Sequence, residues 1–241
     1  MSIDTSIYKP VNNIRVVTAT SLFDGHDVSI NIFRRLLQNT GVEVIHLGHN
    51  RSVNEIVSAA IEEDAQGIAV SSYQGGHIEF FKYIIDLLKE HDASHIKVFG
   101  GGGGVIVPEE IRELEDYGVS KIYSPEDGTR MGLQGIINHM VKELDFSTIQ
   151  NMDFDFGSLS INNKKLVGRL ITAVEQAKAT KDGDFEKLMT VITKKANNKK
   201  IPVIGITGTG GSGKSSLIDE LILRALNDLK DITIAILSAD P

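Results

Sequence analysis

The amino-acid sequence predicts an α/β chain: an open parallel sheet, then the start of a second α/β domain. Three observations carry this. Short, β-branched-rich apolar runs alternate with stretches whose apolar residues recur at helical spacing. The connections between these runs are short, as βαβ units require. From Phe146 to Asn163 the alternation gives way to polar and acidic residues, and a new strand-loop-helix pattern begins at Pro202.

Composition narrows the function classes. The 241 residues allow more than one domain. A net charge of −7 argues against a general nucleic-acid surface, which needs clustered Lys and Arg. There is no cysteine, which excludes disulfides, thiolate metal sites and iron–sulfur clusters. No basic region followed by an apolar core opens the chain, and no apolar run approaches the roughly 20 residues of a membrane span. A soluble, cytoplasmic protein is expected.

Residues 1–12 carry little pattern. Ile14 to Ala19 reads as a buried first strand, followed by the loop Ser21 to Asp27 and a helix marked by Ile30, Phe33, Leu36 and Leu37. Val42 to His46 is a second strand and Val53 to Glu63 a helix. Gly67 to Ser71 is a third strand, ended by Ser72-Tyr73-Gln74-Gly75-Gly76. The next helix places Phe81, Ile84, Ile85 and Leu88 on one stripe. Ile96 to Phe99 is a fourth strand and runs into five glycines, Gly100 to Gly104. Pro108, with Glu109 and Glu110 behind it, suits a helix start. Lys121 to Tyr123 is a fifth strand, and Met131 to Leu144 a closing helix. Five such strands predict a flavodoxin-like (Rossmann-like) order with helices on both faces.

The unusual loops then converge on one sheet edge, at the carboxyl ends of the strands where such sheets bind ligands. Asp24-Gly25-His26 follows strand one, Ser71 and Ser72 end strand three, the glycines follow strand four, and Ser124-Pro125 follow strand five. A carboxylate two residues before a histidine can accept one imidazole N–H and leave the other nitrogen for a metal. Asp-x-His is also short enough to be an ordinary solvated loop, and a glycine run can be a mere linker. Here the run lies inside a domain, where glycine lets a flat ligand approach the backbone. His77 is a weaker candidate, since a lone histidine at a helix start more often caps or packs.

Asp24-Gly25-His26, Val70-Ser71-Ser72 with Gly75-Gly76-His77, and Gly103-Gly104-Val105-Ile106 resemble the signatures of the cobalamin-binding domain of acyl-CoA mutases. The family pattern reads Asp-x-His-x-x-Gly, then Ser-x-Leu, then Gly-Gly. The resemblance implies that His26 replaces the cofactor's own base as lower axial cobalt ligand, with Asp24 behind it. The displaced nucleotide tail would pass Ser71, Ser72, Gly103, Gly104 and Ser124. Two positions depart from the pattern: Ser29 stands where the family has glycine, and Tyr73 where it has leucine.

Between the two domains, Leu166, Leu170, Val174 and Ala177 mark one helix and Phe185, Leu188 and Ile192 another, before the basic run Lys194 to Lys200. The expected organisation is residues 1–145, a helical linker over 146–200, and the beginning of a nucleotide-binding domain over 201–241. There, an apolar run Pro202 to Thr207 reads as a strand opening the phosphate loop Gly208-Thr209-Gly210-Gly211-Ser212-Gly213-Lys214-Ser215, which Ser216 follows. In such a loop backbone N–H groups and a helix N-terminus face the phosphates, the lysine reaches the β and γ phosphates, and the serine ligates magnesium. Thr233 to Leu237 reads as the next strand, ending at Ala239-Asp240-Pro241.

Leu-x-x-Asp-Pro at that place, after Gly-Ile-Thr-Gly, resembles the G-protein chaperones that service cobalamin mutases, and puts Asp240 near the magnesium. Both resemblances in one chain are similar to the fused isobutyryl-CoA mutases, a branch of the adenosylcobalamin-dependent acyl-CoA mutase family. That resemblance implies adenosylcobalamin and GTP with magnesium as cofactors. It also implies a radical carbon-skeleton isomerisation of isobutyryl-CoA and n-butyryl-CoA, an acyl-CoA partner held by a TIM barrel beyond this sequence, and a homodimeric parent. It makes this chain an N-terminal portion, without mutase activity of its own. A corrinoid carrier or sensor coupled to a P-loop NTPase stays open, as does a flavodoxin-like domain binding something else.

Overall fold

The structure is a computed structural model that describes residues 6–149, 153–180, 183–196 and 201–238. It divides into two compact units, Met1–Thr190 and Val191–Pro241. In the first, five parallel strands alternate with helices: β1 (Arg15–Ser21), α1 (Val28–Asn39), β2 (Glu43–Arg51), α2 (Val53–Glu62), β3 (Gly67–Ser71), α3 (His77–Glu90), β4 (Lys97–Gly101), α4 (Pro108–Tyr117), β5 (Lys121–Tyr123) and α5 (Pro125–Leu144). The sheet order is β2-β1-β3-β4-β5, the expected flavodoxin-like arrangement.

β1 and β3 are buried along their whole length because helices cover both faces, and so they read in sequence as mostly apolar or β-branched runs, with Thr18 and Thr20 of β1 also buried. Alternation along the strands divides the core. Val17, Ala19, Ile68, Val70 and Val98 pack with Ile56, Phe81 and Ile84 of α2 and α3. Val16, Ala69, Phe99 and Tyr123 pack with Leu37, Ile137 and Met140 of α1 and α5. The chain leaves β1 toward β2 on one side and returns to β3 on the other, so the crevice between the β1 and β3 loops is the switch point of the sheet.

Capping fixes where the helices begin. Ser52 and Glu55 close a capping box on α2, and Ser124 and Asp127 close one on α5. The closing helix starts at Pro125, earlier than the apolar pattern suggests, and breaks at Gly132, whose φ of 66° and ψ of 170° are not helical. This separates a short first segment over the sheet edge from the apolar segment that packs on the core.

Two more helices follow, α6 (Lys164–Thr180) and α7 (Gly183–Ala196). α6 packs against α2. The contact is so close that a Cβ on Gly168 would lie 2.2 Å from the carbonyl oxygen of Glu62. Lys165 donates to the carbonyls of His91 and Asp92 just beyond α3, and Lys164 pairs with Glu62 at 2.8 Å. The buried Arg15, at the start of β1, donates to Thr172 at 2.7 Å and pairs with Glu175 and Glu43. α6 is therefore fastened at the amino edge of the sheet, opposite the loops that follow the strands.

In the second unit the phosphate loop leads into α8 (Lys214–Asp228). The strands expected over Pro202–Thr207 and Thr233–Leu237 do not form; both stretches lie outside any sheet and are largely exposed. Two strands and one helix cannot cover both faces of a sheet, and an unsupported pair is at best marginal. Among the described residues no helix is long and apolar enough to cross a membrane.

Candidate functional site

At the end of β1 the chain turns through Phe23, held at a φ of 63° with its side chain exposed. This turn buries Asp24. Its Oδ1 accepts from the backbone N–H of His26 at 2.9 Å and faces the His26 Nδ1 at 2.7 Å, and its Oδ2 accepts from the backbone N–H of Tyr73 at 2.5 Å. Burial alone would raise its pKa, but the Tyr73 and His26 N–H groups and the imidazole outweigh that and hold the carboxyl below its ordinary value. An ionised carboxylate only accepts, so Nδ1 donates to it, and it is the neutral ring in that tautomer that has its lone pair on Nε2. The His26 side chain is 77% exposed while that of Asp24 is 1% exposed. The geometry thus presents the imidazole outward, with Nδ1 held from below and Nε2 left unengaged by Asp24.

Beside it lies a cavity of about 360 Å³, within the size range of small organic-ligand sites. Phe33, Phe99, Tyr123, Leu133 and Met140 give it apolar walls, while Ser71, Ser124 and Gly100 to Gly103 form its edge. The glycines are required for different reasons. A Cβ on Gly100 would meet Phe81 at 2.4 Å, and one on Gly102 would meet the Ser72 carbonyl oxygen at 2.4 Å. Gly103 and Gly104 adopt φ of 56° and 95°, conformations that side chains disfavour.

Of the residues expected at the site, Asp24, Gly25 and His26 form the loop, and Ser71, Gly103 and Ser124 line the cavity. Ser72 is buried and accepts from Ser21 at 2.9 Å, tying β3 to β1, and neither it nor Gly104 lines the cavity. His77 is buried with both ring nitrogens engaged, by the Gln74 carbonyl at 2.8 Å and by Glu110 at 3.0 Å; it joins the second and third loops and has no nitrogen to offer a metal. The aromatic and aliphatic walls escaped sequence reading because a cavity wall and a core stripe share one periodicity. The Gly132 break, next to Leu133 in the wall, is the one sequence signal that could have drawn attention to that segment.

In the second unit, Gly208, Gly210, Gly211, Ser212 and Gly213 form the loop, with Gly213 at a φ of 80° turning the chain into α8. Lys214, Ser215 and Ser216 make the helix's first turn, so their backbone N–H groups are free of intrahelical partners. The Lys214 ammonium folds back on the carbonyls of Gly208 and Thr209, 2.8 Å from each. Asp240, expected near the magnesium, lies outside the described residues.

A flavodoxin-like domain with a carboxylate-backed, outward imidazole beside an apolar cavity suits an organic cofactor with a metal centre, and the phosphate loop that follows suits a nucleotide. Comparison with known proteins agrees. The family model of the B12 binding domain matches residues 14–131, and that of the methylmalonyl-CoA mutase-associated GTPase MeaB matches residues 167–241. The fused isobutyryl-CoA mutase of Geobacillus kaustophilus is 58% identical over 98% of this chain, and that of Cupriavidus metallidurans 56% identical over 96%. The chain spans 22% and 21% of those two proteins. The 2-hydroxyisobutanoyl-CoA mutase small subunit of Aquincola tertiaricarbonis is 34% identical over 45% of this chain and 79% of that subunit. The chain belongs to the cobalamin-dependent acyl-CoA mutase family, and carries the pair of segments shared with its fused isobutyryl-CoA members.

Proposed function

We propose that this chain is the cofactor-binding and partial chaperone portion of a radical acyl-CoA mutase acting on isobutyryl-CoA and n-butyryl-CoA. The observation that carries the reading is the Asp24–His26 pair standing beside the apolar cavity at the sheet's switch point. His26 would offer Nε2 to the cobalt, and Asp24 would hold the ring in the tautomer that makes this possible. The cavity would take the displaced nucleotide tail. Its glycine edge supports this fit, because Gly100 to Gly103 line the cavity with backbone alone. When bound, adenosylcobalamin supplies the organic radical that starts the rearrangement; the chain's part is to hold and orient it.

In the second unit Lys214 would exchange the Gly208 and Thr209 carbonyls for phosphate oxygens, and Ser215 would ligate magnesium with Asp240 nearby. The acyl-CoA would be held by a barrel domain elsewhere in a longer, homodimeric protein.

The test is spectroscopic. Mixed with adenosylcobalamin, the protein should show the absorbance change of a displaced base. With histidine labelled by a heavier nitrogen isotope, the cobalt(II) form should show altered nitrogen splitting in its electron resonance spectrum. A spectrum retaining only the cofactor's own nitrogen would overturn the assignment of His26.

A further inference from the structure

The two residues that depart from the family pattern meet in space. The Tyr73 hydroxyl lies 2.8 Å from the Ser29 hydroxyl, joining the loop after β3 to the first turn of α1. We propose that this pair is a latch across the entrance to the cavity, and that its opening sets how fast the nucleotide tail enters. The inference rests on the cobalamin reading and goes further, giving two side chains a role in loading.

The ring position makes the argument. Tyr73 lies directly on Gly103, where a built Cβ would be 2.3 Å from its Cε1 and 2.9 Å from its hydroxyl oxygen. On another side its ring centre is 5.5 Å from that of His26, and the planes are tilted by 40°. Ser29, Tyr73 and Gly103 all line the cavity. A ligand tethered at His26, with its tail in the cavity, must pass the ring that touches both His26 and Gly103. The Tyr73 backbone is pinned by its bond to Asp24, so passage requires the side chain to rotate, and rotation breaks the bond to Ser29. Nothing else hydrogen-bonded to the Tyr73 hydroxyl among the described contacts would hold the ring there. The partners also explain each other: a glycine at position 29 or a leucine at position 73 could not make this bond.

Stopped-flow absorbance of the whole chain with adenosylcobalamin reads the loading rate through the base-displacement signal. Ser29→Ala and Tyr73→Phe each remove the bond while keeping the fold and the ring, and each should load about 2- to 10-fold faster, the worth of one hydrogen bond in a barrier. The double variant should be no faster than either single one, because both remove the same interaction. Unchanged or slower loading in the single variants, or additive effects in the double, would overturn the latch while leaving cobalamin binding standing. No spectral change in the unaltered protein would instead overturn the cobalamin reading beneath it.

Discussion

Asp24 and His26 are joined at 2.7 Å across the boundary between the protein interior and solvent, one side chain buried and the other exposed. That asymmetry suits the cobalt-facing role proposed for His26: charge and orientation come from below, and Nε2 is left unengaged by Asp24. Asp24→Asn keeps the shape but removes the charge that obliges Nδ1 to donate. Cobalamin affinity should fall by about 10- to 100-fold, as is typical when the partner of a metal-ligating histidine is altered. Spectrophotometric titration measures it, and an unchanged constant would leave Asp24 as a loop tie only.

The same carboxylate gives a pH dependence with a definite sign. Its folded-state pKa lies below the ordinary value of 3.8. Its contribution to stability is therefore complete above the unfolded pKa and is lost as pH falls through the folded one. Urea unfolding of the natural protein and of Asp24→Asn should differ most near neutrality and converge as pH drops below about 4. A gap that stays constant into acid would show that the bonds to Tyr73 and His26 do not depend on charge.

Much of this was legible in the sequence, for physical reasons. Parallel strands covered on both faces lack the alternation of polar and apolar residues, which is why the runs of β1, β3 and β4 stand out. β2 extends to Arg51, beyond the apolar run, because as an edge strand it tolerates His46, His49 and Asn50 in its outer half. Asp24 and His26 are visible because they are neighbours in the chain. Ser29 and Tyr73 are separated by 44 positions, and nothing local couples them. Phe33, Phe99 and Met140 carry the same apolar signal whether they fill a core or wall a cavity. The strands read around the phosphate loop have the right composition, but a strand exists only by pairing and cover, and neither forms among the described residues of that unit.

Within the glycine run, neighbouring positions should respond differently. A methyl on Gly102 would sit 2.4 Å from the backbone oxygen of Ser72, which cannot swing aside, whereas one on Gly101 would find its nearest atom at 3.5 Å. Gly102→Ala should lose about 1–3 kcal/mol of stability, the usual cost of overpacking. Gly101→Ala should stay close to the natural protein. Chemical denaturation separates them; equal losses would mean that the run is needed for backbone freedom rather than for close approach.

α6 offers a test at the far edge of the sheet. Arg15→Met removes the donors to Thr172, Glu175 and Glu43, and should weaken the docking of α6 by about 1–3 kcal/mol. Gly168→Ala should do the same by driving a methyl against the Glu62 carbonyl. Hydrogen exchange should quicken along α6 in both variants and stay slow in β3, with cobalamin affinity unchanged. If affinity falls with α6 loosened, the two edges of the sheet are coupled.

The final prediction separates the two units. His26 belongs to the first and Lys214 to the second. Lys214→Ala should abolish what nucleotide binding the phosphate loop supports, since it removes the cation expected to meet the β and γ phosphates. Cobalamin titration of the same variant should match the natural protein. Nucleotide binding itself should be weak and indifferent to the base, because the loop contacts phosphates and no described residue is placed to read a guanine edge. GTP turnover should be negligible, since among the described residues the sheet that would support the loop does not form and none is positioned to orient an attacking water. Measuring phosphate release from the 241-residue chain decides this. A rate like that of a complete GTPase, lost in Lys214→Ala, would show that the catalytic parts are already within this sequence.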